Sequence, residues 1–402
     1  MPSPYTIRWG ILATGGIANT FCRDILCDPA TRDVSDVAHE IVAVASSSSA
    51  SRAEDFIKEV KCPGSPKAYG SYHELVNDPN VDVIYVATPH SHHFQNAMLA
   101  LEAGKNVLCE KAFTVNAAQA KKLVETAKAK NLFLMEAVWT RYFPLSIKIR
   151  EMVKSGEIGE VQRVVSDLSF GAVKDDGSYE FEDSHRMLNK DLGGGALLDL
   201  GIYALTWVYQ ILYHCQPEPR EAPKVLASMS LYEKTGADEM TSMMLQFPKT
   251  KTVGIALTGL RVATQPDAVG SPASGPACRI FGTKGEIQVI GPLYRPTHYR
   301  VLKKGGQPGV VEDVKCPIPK DPKREGRDGD KEGWGHGMAW EADEVARCLR
   351  DGKKQSETLD WKESIMIMET MDEARRQGGL EYPQLIETDV FDPKSPLNGG
   401  KS

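Results

Sequence analysis

Short apolar runs alternate with amphipathic stretches along the first third of the chain. Buried strands are predicted where β-branched residues cluster, at positions 9–12, 39–46, 81–87, 106–109 and 132–136. Helices are predicted where apolar residues recur every three to four positions, after the first strand and at 94–103 and 116–130. Strands and helices that alternate in this way predict a doubly wound parallel sheet.

The pattern changes from position 161 onward. Polar and apolar residues then alternate, as in antiparallel strands with one buried face, at positions 161–170, 224–232, 241–247, 252–259 and 279–290. Helices are predicted at 145–154, after the Gly193–Gly195 cluster, and at 338–350 and 361–377. The predicted class is α/β, with the doubly wound sheet in residues 1–140. An α+β domain with a largely antiparallel, open-faced sheet is expected in 141–390, followed by a tail at 391–402.

Composition excludes several classes of protein. Hydrophobic residues make up 41% of the 402 positions and the net charge is −6. A globular fold is therefore expected, and nucleic-acid or anionic-membrane partners are not. No run of eighteen apolar residues and no secretory signal is present, so we expect a cytoplasmic protein without a membrane span. Eight dispersed cysteines without a Cys-x-x-Cys pair indicate reduced thiols.

Two stretches are predicted as long loops. Residues 263–276 are rich in Pro, Gly, Ser and Ala, and residues 317–337 mix charge with glycine. Long loops in a compact protein either cover a site or form surface insertions. The sequence leaves both possibilities open.

The turn after the first predicted strand has the character of a phosphate-binding loop. Small residues there let the backbone approach a pyrophosphate, and the helix that follows offers free N–H groups at its start. The motif is imperfect, because an alanine holds the place of the first glycine. An ordinary strand–helix turn is therefore the alternative. The residues expected to contact a dinucleotide are Ala13, Thr14, Gly15, Gly16 and Ile17.

The loop after the second predicted strand bears on the choice of cofactor. An acidic residue there usually binds the ribose 2′-hydroxyl of NAD, but this loop holds Ser46, Ser47 and Ser48, followed by Arg52. A carboxylate would repel a 2′-phosphate, whereas hydroxyls and a guanidinium can hydrogen-bond to it. The loop therefore favours NADP over NAD, with a polar surface loop as the alternative.

Two further loops follow strands of the same predicted sheet. Ligands of such sheets bind beyond the carboxyl ends of the strands, so these loops should converge with the phosphate loop. The candidates are Thr88, Pro89, His90, His93, Glu110 and Lys111, of which His93 is expected inside the following helix. The His-x-His-His run does not predict a metal site, because adjacent histidines cannot both face one ion and nothing completes the set.

Five motifs resemble those of a known family in their order and spacing. They are Gly10–Ala18, Thr88–His93, Cys109–Lys111, Met135–Pro144 and Gly193–Tyr203. On these motifs the chain resembles the glucose–fructose oxidoreductase / inositol dehydrogenase / rhizopine-catabolism (Gfo/Idh/MocA) family. It is most similar to the branch of dimeric dihydrodiol dehydrogenases and fungal NADP-dependent D-xylose dehydrogenases. The resemblance implies an N-terminal Rossmann domain and a second domain whose open sheet face often forms a subunit contact.

Two residues depart from the family pattern. Ala112 follows Glu110-Lys111 where the family has proline, and that proline usually sets the backbone turn that aims the lysine. Ala13 replaces the first glycine of the phosphate loop. A methyl group there is compatible with the loop if the φ angle of Ala13 stays negative.

The resemblance assigns the catalytic roles. It implies that Lys111 lies beside the nicotinamide and the substrate, and that Tyr203 holds the place of a general base. A neighbouring ammonium favours the phenolate and lowers the pKa of a tyrosine, which is what removal of a hydroxyl proton requires. Asp199, four residues before Tyr203, can share its helical face and orient sugar hydroxyls or offset the charge of Lys111.

Other residues are expected to line the site. Glu110 resembles a residue near the nicotinamide ribose, and a strand-end carboxylate in a hydrogen bond is the alternative. Trp139 and Arg141 are candidates for both cofactor and substrate contacts, although Trp139 could equally be interdomain core. Phe170 and Arg186 are further substrate candidates, and His185 beside Arg186 is a weaker one.

The sequence thus predicts NADP-dependent oxidation of an aldose at C1, with D-xylose to D-xylonolactone favoured. The alternatives are a trans-1,2-dihydrodiol dehydrogenase and a non-catalytic, NADP-binding regulator of a sugar regulon. The partners expected are a small sugar and a second copy of the chain, as a homodimer or a higher oligomer.

Overall fold

The structure is a computed structural model that describes residues 3–307, 311–327 and 330–399. Two compact units make up the chain. The first comprises Met1–Trp139, Ile318–Ser364 and Gln384–Ser402, and the second comprises Thr140–Pro317 and Ile365–Pro383. The pattern of the sequence assigns everything from 141 to 390 to one domain. It carries no signal for the return to the first unit, because an amphipathic helix can pack against either sheet. Residues 328–329 of the predicted 317–337 loop and 400–402 of the predicted tail lie outside the described residues.

The first unit is built on a six-stranded parallel sheet in the order β3-β2-β1-β4-β5-β6. The strands are β1 Tyr5–Leu12, β2 Val37–Ala45, β3 Lys67–Tyr69, β4 Val83–Val86, β5 Asn106–Glu110 and β6 Leu134–Ala137. The order reverses between β1 and β4, which confirms the doubly wound sheet. Strand β3 was not predicted, because a strand of three residues is too short to show an apolar pattern.

Helices cover this sheet. Those that follow its strands are α1 Gly16–Ile25, α2 Ala50–Glu59, α3 Tyr72–Val76, α4 His90–Glu102 and α5 Ala117–Ala129. Ser71 caps α3 by accepting a hydrogen bond from the Glu74 N–H, as its sequence predicts. Helix α4 begins four residues earlier than predicted, because Pro89 is its N-cap. His90 and His93 therefore lie in the first turn of a helix, and the prediction of a loop at His90 was wrong.

The second unit contains an eight-stranded sheet in the order β14-β13-β12-β11-β7-β10-β9-β8. The strands are β7 Val161–Ser169, β8 Lys224–Leu231, β9 Asp238–Phe247, β10 Thr252–Gly259, β11 Cys278–Gly282, β12 Gly285–Ile290, β13 His298–Lys303 and β14 Glu312–Lys315. The pairing is antiparallel except between β7 and β10, which are parallel. The run at 279–290 is two strands rather than one, since the chain turns at Thr283–Lys284.

The remaining helices are α6 Pro144–Lys154, α7 Ile202–Leu212, α8 Ala339–Arg350, α9 Trp361–Gly378, α10 Gln384–Glu387 and α11 Pro396–Gly399. Every residue of α7 is buried, and this helix packs on β7 and β10. The segment Lys190–Leu212 has the length and the mean hydropathy, 1.3, of a membrane span, although none was expected from the sequence. Its apolar window is entirely buried inside the folded chain, as in the core helix of a globular unit.

The cysteines are consistent with the expected reduced thiols. All eight are unbridged in the structure. Burial raises the pKa of the fully buried thiols such as Cys22 and Cys109, which keeps them protonated and unreactive.

Candidate functional site

The loop between β1 and α1 is open to a ligand. Gly15 is the N-cap of α1, and no side chain accepts a hydrogen bond from the first N–H groups of the helix at this cap. A Cβ atom added at Gly15 or Gly16 would meet nothing within 4 Å. This is the space that a pyrophosphate needs when it binds at a helix N-terminus.

Ala13 in this loop adopts a φ angle of 94°. The condition of a negative φ, under which a methyl group fits the loop without strain, is therefore not met. Only glycine reaches this region without strain, and an L-residue held there costs on the order of 1–3 kcal/mol. The Ala13 N–H donates to the carbonyl oxygen of Ala45 at 3.2 Å, and this bond to the end of β2 helps to hold the strained turn.

The serine loop after β2 is held by local hydrogen bonds. The buried Ser46 hydroxyl pairs with the Ser48 hydroxyl at 2.9 Å, and Ser49 Oγ accepts from the Arg52 N–H at 3.2 Å. Ser47 hydrogen-bonds to the side chain of Tyr72. Arg52 lies exposed in the first turn of α2, so its guanidinium is accessible to an anion beside this loop.

The loop after β4 presents a buried hydroxyl. Thr88 Oγ1 is buried and has no hydrogen-bond partner within the described parts of the chain. The ring of His93 lies between two carbonyl oxygens, at 2.9 Å from that of Thr88 and 2.8 Å from that of Ala112. Burial lowers the pKa of His93 to about 4, so the neutral ring donates one N–H. His93 thus links the β4 loop to the backbone beside Lys111.

Glu110 ends β5 as a buried carboxylate. It accepts a hydrogen bond from the Tyr85 hydroxyl and another from the Lys111 N–H at 3.2 Å. Burial and the Glu110 charge raise the pKa of Tyr85 well above its ordinary value. These bonds match the alternative of a strand-end carboxylate in a hydrogen bond. Lys111 is half-buried, and the Lys111–Ala112 peptide is cis where the family pattern has proline.

A second carboxyl group, Glu341 in the first turn of α8, is fully buried near Glu110. Neither of its oxygens has a hydrogen-bond partner among the described residues. Burial, and then the charges of Glu110 and Asp24, raise the pKa of Glu341 well above its ordinary value. Below the pKa of the unfolded carboxyl both states are protonated. As pH rises above it, only the unfolded state ionises, and the folded protein loses stability until pH reaches the raised folded pKa.

Glu341→Gln should therefore stabilise the protein at pH 8 and have little effect near pH 4. The amide keeps the shape of the acid without its ionisation, and we expect a gain of about 1–3 kcal/mol at pH 8. Denaturant unfolding across this pH range measures it, with Glu125→Gln on the exposed face of α5 as the control. A gain that is equal at both pH values would contradict the raised pKa.

Trp139 and Arg141 have different environments. Trp139 begins a 3₁₀ turn, Trp139–Tyr142, just after β6, and its ring stacks on His336 within the first unit. Arg141 belongs to the second unit and is fully buried. Its carbonyl oxygen accepts from Arg150 Nη1 at 3.1 Å. A side chain with no exposed surface cannot donate to a ligand without rearrangement, so its surroundings favour a structural role.

In the second unit, Asp199 and Tyr203 lie in one continuous helical segment. Asp199 is in a π-helical turn, Leu197–Gly201, and Tyr203 is in the first turn of α7. Such π turns occur often at functional sites. Asp199 Oδ1 is 3.3 Å from Nη1 of Arg186, whose side chain is 55% exposed while that of Asp199 is 11% exposed. Asp199 and Arg186 therefore pair at the surface of this unit, and the buried Tyr203 follows Asp199 by four residues in the same helical segment.

Aromatic rings lie beside Tyr203. The ring of Tyr294 is 5.9 Å from that of Tyr203 and 6.3 Å from that of Phe170, measured between centroids. Phe170 was predicted to contact substrate, but Tyr294 was missed. It lies in a loop after β12 with no periodic pattern, so no signal in the sequence singles it out. The exposed His185 stacks on Phe181 at 4.5 Å, and partial desolvation and the Arg186 charge lower its pKa.

Gly195 and Asp238 determine how the segment with Asp199 begins. Gly195 has a φ angle of 126°, and a Cβ atom there would lie 2.0 Å from Asp238 Oδ1. Asp238 Oδ2 accepts from the Leu197 N–H at 2.8 Å and from the Thr241 hydroxyl at 2.9 Å. Burial raises the pKa of Asp238 to about 6. The glycine is therefore needed for the carboxyl group that caps this helical segment.

These observations fit a dinucleotide in the first unit. The uncapped start of α1 and the open space over Gly15 and Gly16 suit a pyrophosphate. Among the residues with described positions, no group of three His, Cys, Asp or Glu side chains can hold a metal ion.

Comparison with known families agrees with this reading of the two units. Residues 7–138 match the "Oxidoreductase family, NAD-binding Rossmann fold", and residues 146–288 match the "GFO/IDH/MocA C-terminal domain". The chain belongs to the GFO/IDH/MocA oxidoreductase family. The resemblance predicted from five motifs is confirmed, and so are the Rossmann sheet and the mixed, mostly antiparallel second sheet.

Members of the GFO/IDH/MocA family with curated names cover nearly the whole chain. A D-xylose 1-dehydrogenase (NADP(+)) of Hypocrea jecorina is 64% identical over 99% of this chain and 98% of its own length. A trans-1,2-dihydrobenzene-1,2-diol dehydrogenase of Danio rerio is 35% identical over 94% of this chain and 98% of its own. A solved aldose-aldose oxidoreductase from Caulobacter crescentus has the same fold, with a TM-score of 0.70, 19% identity, and coverage of 93% and 98%.

Proposed function

We propose that this chain oxidises an aldose at C1 with NADP as the acceptor, and that D-xylose, converted to D-xylonolactone, is the preferred substrate. The observation that carries the proposal is the 64% identity, over 99% of the chain, to a relative named D-xylose 1-dehydrogenase (NADP(+)). The predicted catalytic residues Lys111, Asp199 and Tyr203 are all present.

The preference for NADP rests on the loop after β2. It supplies serine hydroxyls and the exposed Arg52, and no carboxylate stands where NAD enzymes use one to bind a ribose hydroxyl. The pyrophosphate would lie over Gly15 and Gly16 at the start of α1. When bound, NADP supplies the nicotinamide ring that accepts a hydride.

We assign the proton chemistry to residues of this chain. Tyr203 takes the proton of the sugar hydroxyl as general base, and the Lys111 ammonium favours its phenolate form. Asp199 orients hydroxyl groups of the substrate, and its ion pair with Arg186 holds the carboxylate in place. Phe170 and Tyr294 offer ring faces to the C–H surface of a sugar.

A direct assay tests this proposal. NADP and NAD are each supplied with a panel of pentoses, hexoses and a trans-dihydrodiol, and the reduced cofactor is followed by its absorbance. We expect NADP with D-xylose to give the highest kcat/KM. Absence of turnover with every sugar and diol would overturn the enzymatic proposal and favour a regulator.

A trans-1,2-dihydrodiol dehydrogenase is the second candidate. It is favoured by the relatives of that name, one of which is 35% identical over 94% of the chain. A higher kcat/KM for the diol than for any aldose in the same panel would replace the first proposal with this one.

We further propose that the chain is a homodimer formed through the open face of the second sheet. Four apolar residues lie side by side in one row on neighbouring strands β8, β9, β10 and β7. They are Leu226, Met244, Ile255 and Val165. Leu226 is 67% exposed and Met244 is 46% exposed, although both are apolar. Contiguous exposed apolar residues of this kind are typical of protein–protein interfaces, and the row continues into polar Arg279 on β11, as at an interface rim.

Leu226→Glu combined with Met244→Glu should convert the dimer to a monomer. Two charges in an apolar interface would be desolvated without partners, so we expect the sedimentation mass to fall from two chains to one. Val390→Glu is the control, since that valine is also 67% exposed but lies in the first unit. A wild-type protein that sediments as one chain would contradict the proposed dimer.

A further inference from the structure

Four planar side chains of the first unit form a continuous stack. The ring of Trp139 lies 5.0 Å from that of His336, with 14° between the planes. His336 is 6.4 Å from Trp334, at 27°, and the guanidinium carbon of Arg23 is 3.9 Å from the Trp334 ring centroid. The stack joins helix α1 to the turn after β6. The two residues between them, Trp334 and His336, follow that turn by almost 200 positions in the chain.

A buried carboxylate holds the segment that carries His336. Asp24 on α1 accepts hydrogen bonds from three N–H groups, those of His336 at 2.6 Å and of Gly337 and Ala339 at 2.9 Å. The side chain of Asp24 is almost fully buried. Three donors on one carboxylate determine the backbone position at residues 336–339, and therefore the direction in which the His336 ring leaves the chain.

The rest of the 317–337 loop is also attached to α1 and the residues that follow it. Arg324 Nε donates to the carbonyl oxygen of Leu26 at 2.9 Å, and Asp321 Oδ2 accepts from the Asp28 N–H at 2.9 Å. The described part of this loop is thus packed against the sheet unit and is not a loose surface insertion.

The place of Trp139 shows which site is concerned. It follows β6 directly, at the carboxyl edge of the parallel sheet, and ligands of doubly wound sheets bind beyond that edge. Its indole is only 3% exposed, so the side chains packed around it determine its orientation. The half-buried His336 ring is parallel to the indole and covers one of its faces.

We propose that His336 is a positioning residue for Trp139, and that it holds the indole plane at the angle at which Trp139 receives the aldose. The inference rests on the proposed function, since it takes Trp139 as a sugar-contacting residue. A stacked pair of this kind contributes about 0.5–1.5 kcal/mol. Its loss corresponds to a two- to tenfold weaker contact between Trp139 and the substrate.

The test compares two substitutions at one position. His336→Phe keeps a flat ring for the stack but has no N–H group, whereas His336→Gln keeps a polar donor but has no ring. We expect the KM for D-xylose to rise about three- to tenfold in His336→Gln and to stay within about twofold in His336→Phe. In both variants kcat and the Kd for NADP should stay within about twofold of wild type. His73→Gln, at an exposed histidine bonded to the Pro393 carbonyl oxygen, is the matched control.

Two results would overturn the inference. A wild-type KM in His336→Gln would mean that the stack does not position Trp139 for substrate. An increase in KM that is at least as large in His336→Phe as in His336→Gln would show that a flat ring at position 336 does not position Trp139 for the substrate.

A measurement without turnover separates this inference from the proposed function. The emission of Trp139 is obtained as the difference between each protein and its Trp139→Phe counterpart. We expect this difference spectrum to be red-shifted in His336→Gln, because the exposed indole face gains water, and unchanged in His336→Phe. An inactive wild type with these spectra would defeat the proposed function but leave the stack intact. Identical spectra in all variants would defeat the stack itself.

Discussion

Tyr203→Phe should lower kcat about 10²- to 10⁴-fold while the Kd for NADP stays within about twofold. The substitution removes only the phenolic oxygen that accepts the substrate proton in the proposed mechanism, and general-base catalysis contributes an effect of this size. The phenyl ring keeps its contact with Tyr294, so the packing around α7 is retained. Steady-state kinetics with D-xylose and fluorescence titration with NADP separate the two quantities.

Lys111→Met should produce a loss of similar size, because the phenolate would no longer be favoured by an ammonium. Tyr209→Phe is the matched control for Tyr203→Phe. It removes a hydroxyl from the same helix, where Tyr209 pairs with Thr370 at 2.6 Å, and it should affect stability but not kcat. Full activity in Tyr203→Phe or in Lys111→Met would remove that residue from the proposed mechanism.

Arg52→Ala should weaken NADP binding about 10- to 100-fold and leave NAD binding within about threefold. A charge-assisted hydrogen bond to a phosphate contributes about 1.5–3 kcal/mol, and NAD lacks the 2′-phosphate. The backbone N–H of Arg52 remains bonded to Ser49 Oγ in the variant, so the start of α2 is preserved. Binding constants for both cofactors, measured by the same titration, give the ratio directly.

Lys58→Ala provides the control for the loss of one positive charge from the same helix. Lys58 is exposed and pairs only distantly with Asp55, at 3.7 Å, so its removal should leave both binding constants unchanged. If Arg52→Ala weakened the binding of NADP and of NAD equally, Arg52 would support the loop and would not bind the 2′-phosphate.

The strands of the first unit show which elements can be predicted from the local pattern of apolar residues. Runs such as Val83–Val86 are apolar on both faces, because helices cover both sides of a parallel sheet. Such runs can be recognised without a structure. The start of α4 was misplaced, because the polar His90–His93 run does not look like a buried helical turn. Those histidines are nevertheless buried, since the helix packs them against the loops after β4 and β5.

Backbone strain is less accessible to prediction than strand pattern. Alanine has a strong preference for negative φ, and nothing in the residues around Ala13 indicates that it will adopt 94°. The neighbouring strand, whose Ala45 carbonyl oxygen accepts the Ala13 N–H, helps to hold that conformation. At Gly195 the sequence shows a glycine, which permits an unusual backbone conformation. It does not show why a glycine is needed there, which is the close approach of Asp238.

The sequence by itself determined the two kinds of sheet, the phosphate loop, the serine loop that bears on the cofactor, and the motif residues Lys111, Asp199 and Tyr203. These features depend on residue types at short spacing along the chain, so they can be predicted from local propensity and from the chemistry of short motifs. Only the tertiary structure decided that the chain after 317 returns to the first unit, that Asp24 holds residues 336–339, and that His336 stacks on Trp139. The physical reason is separation along the chain: such contacts join segments about 200 to 300 residues apart, and no local pattern records which distant partner a side chain will meet.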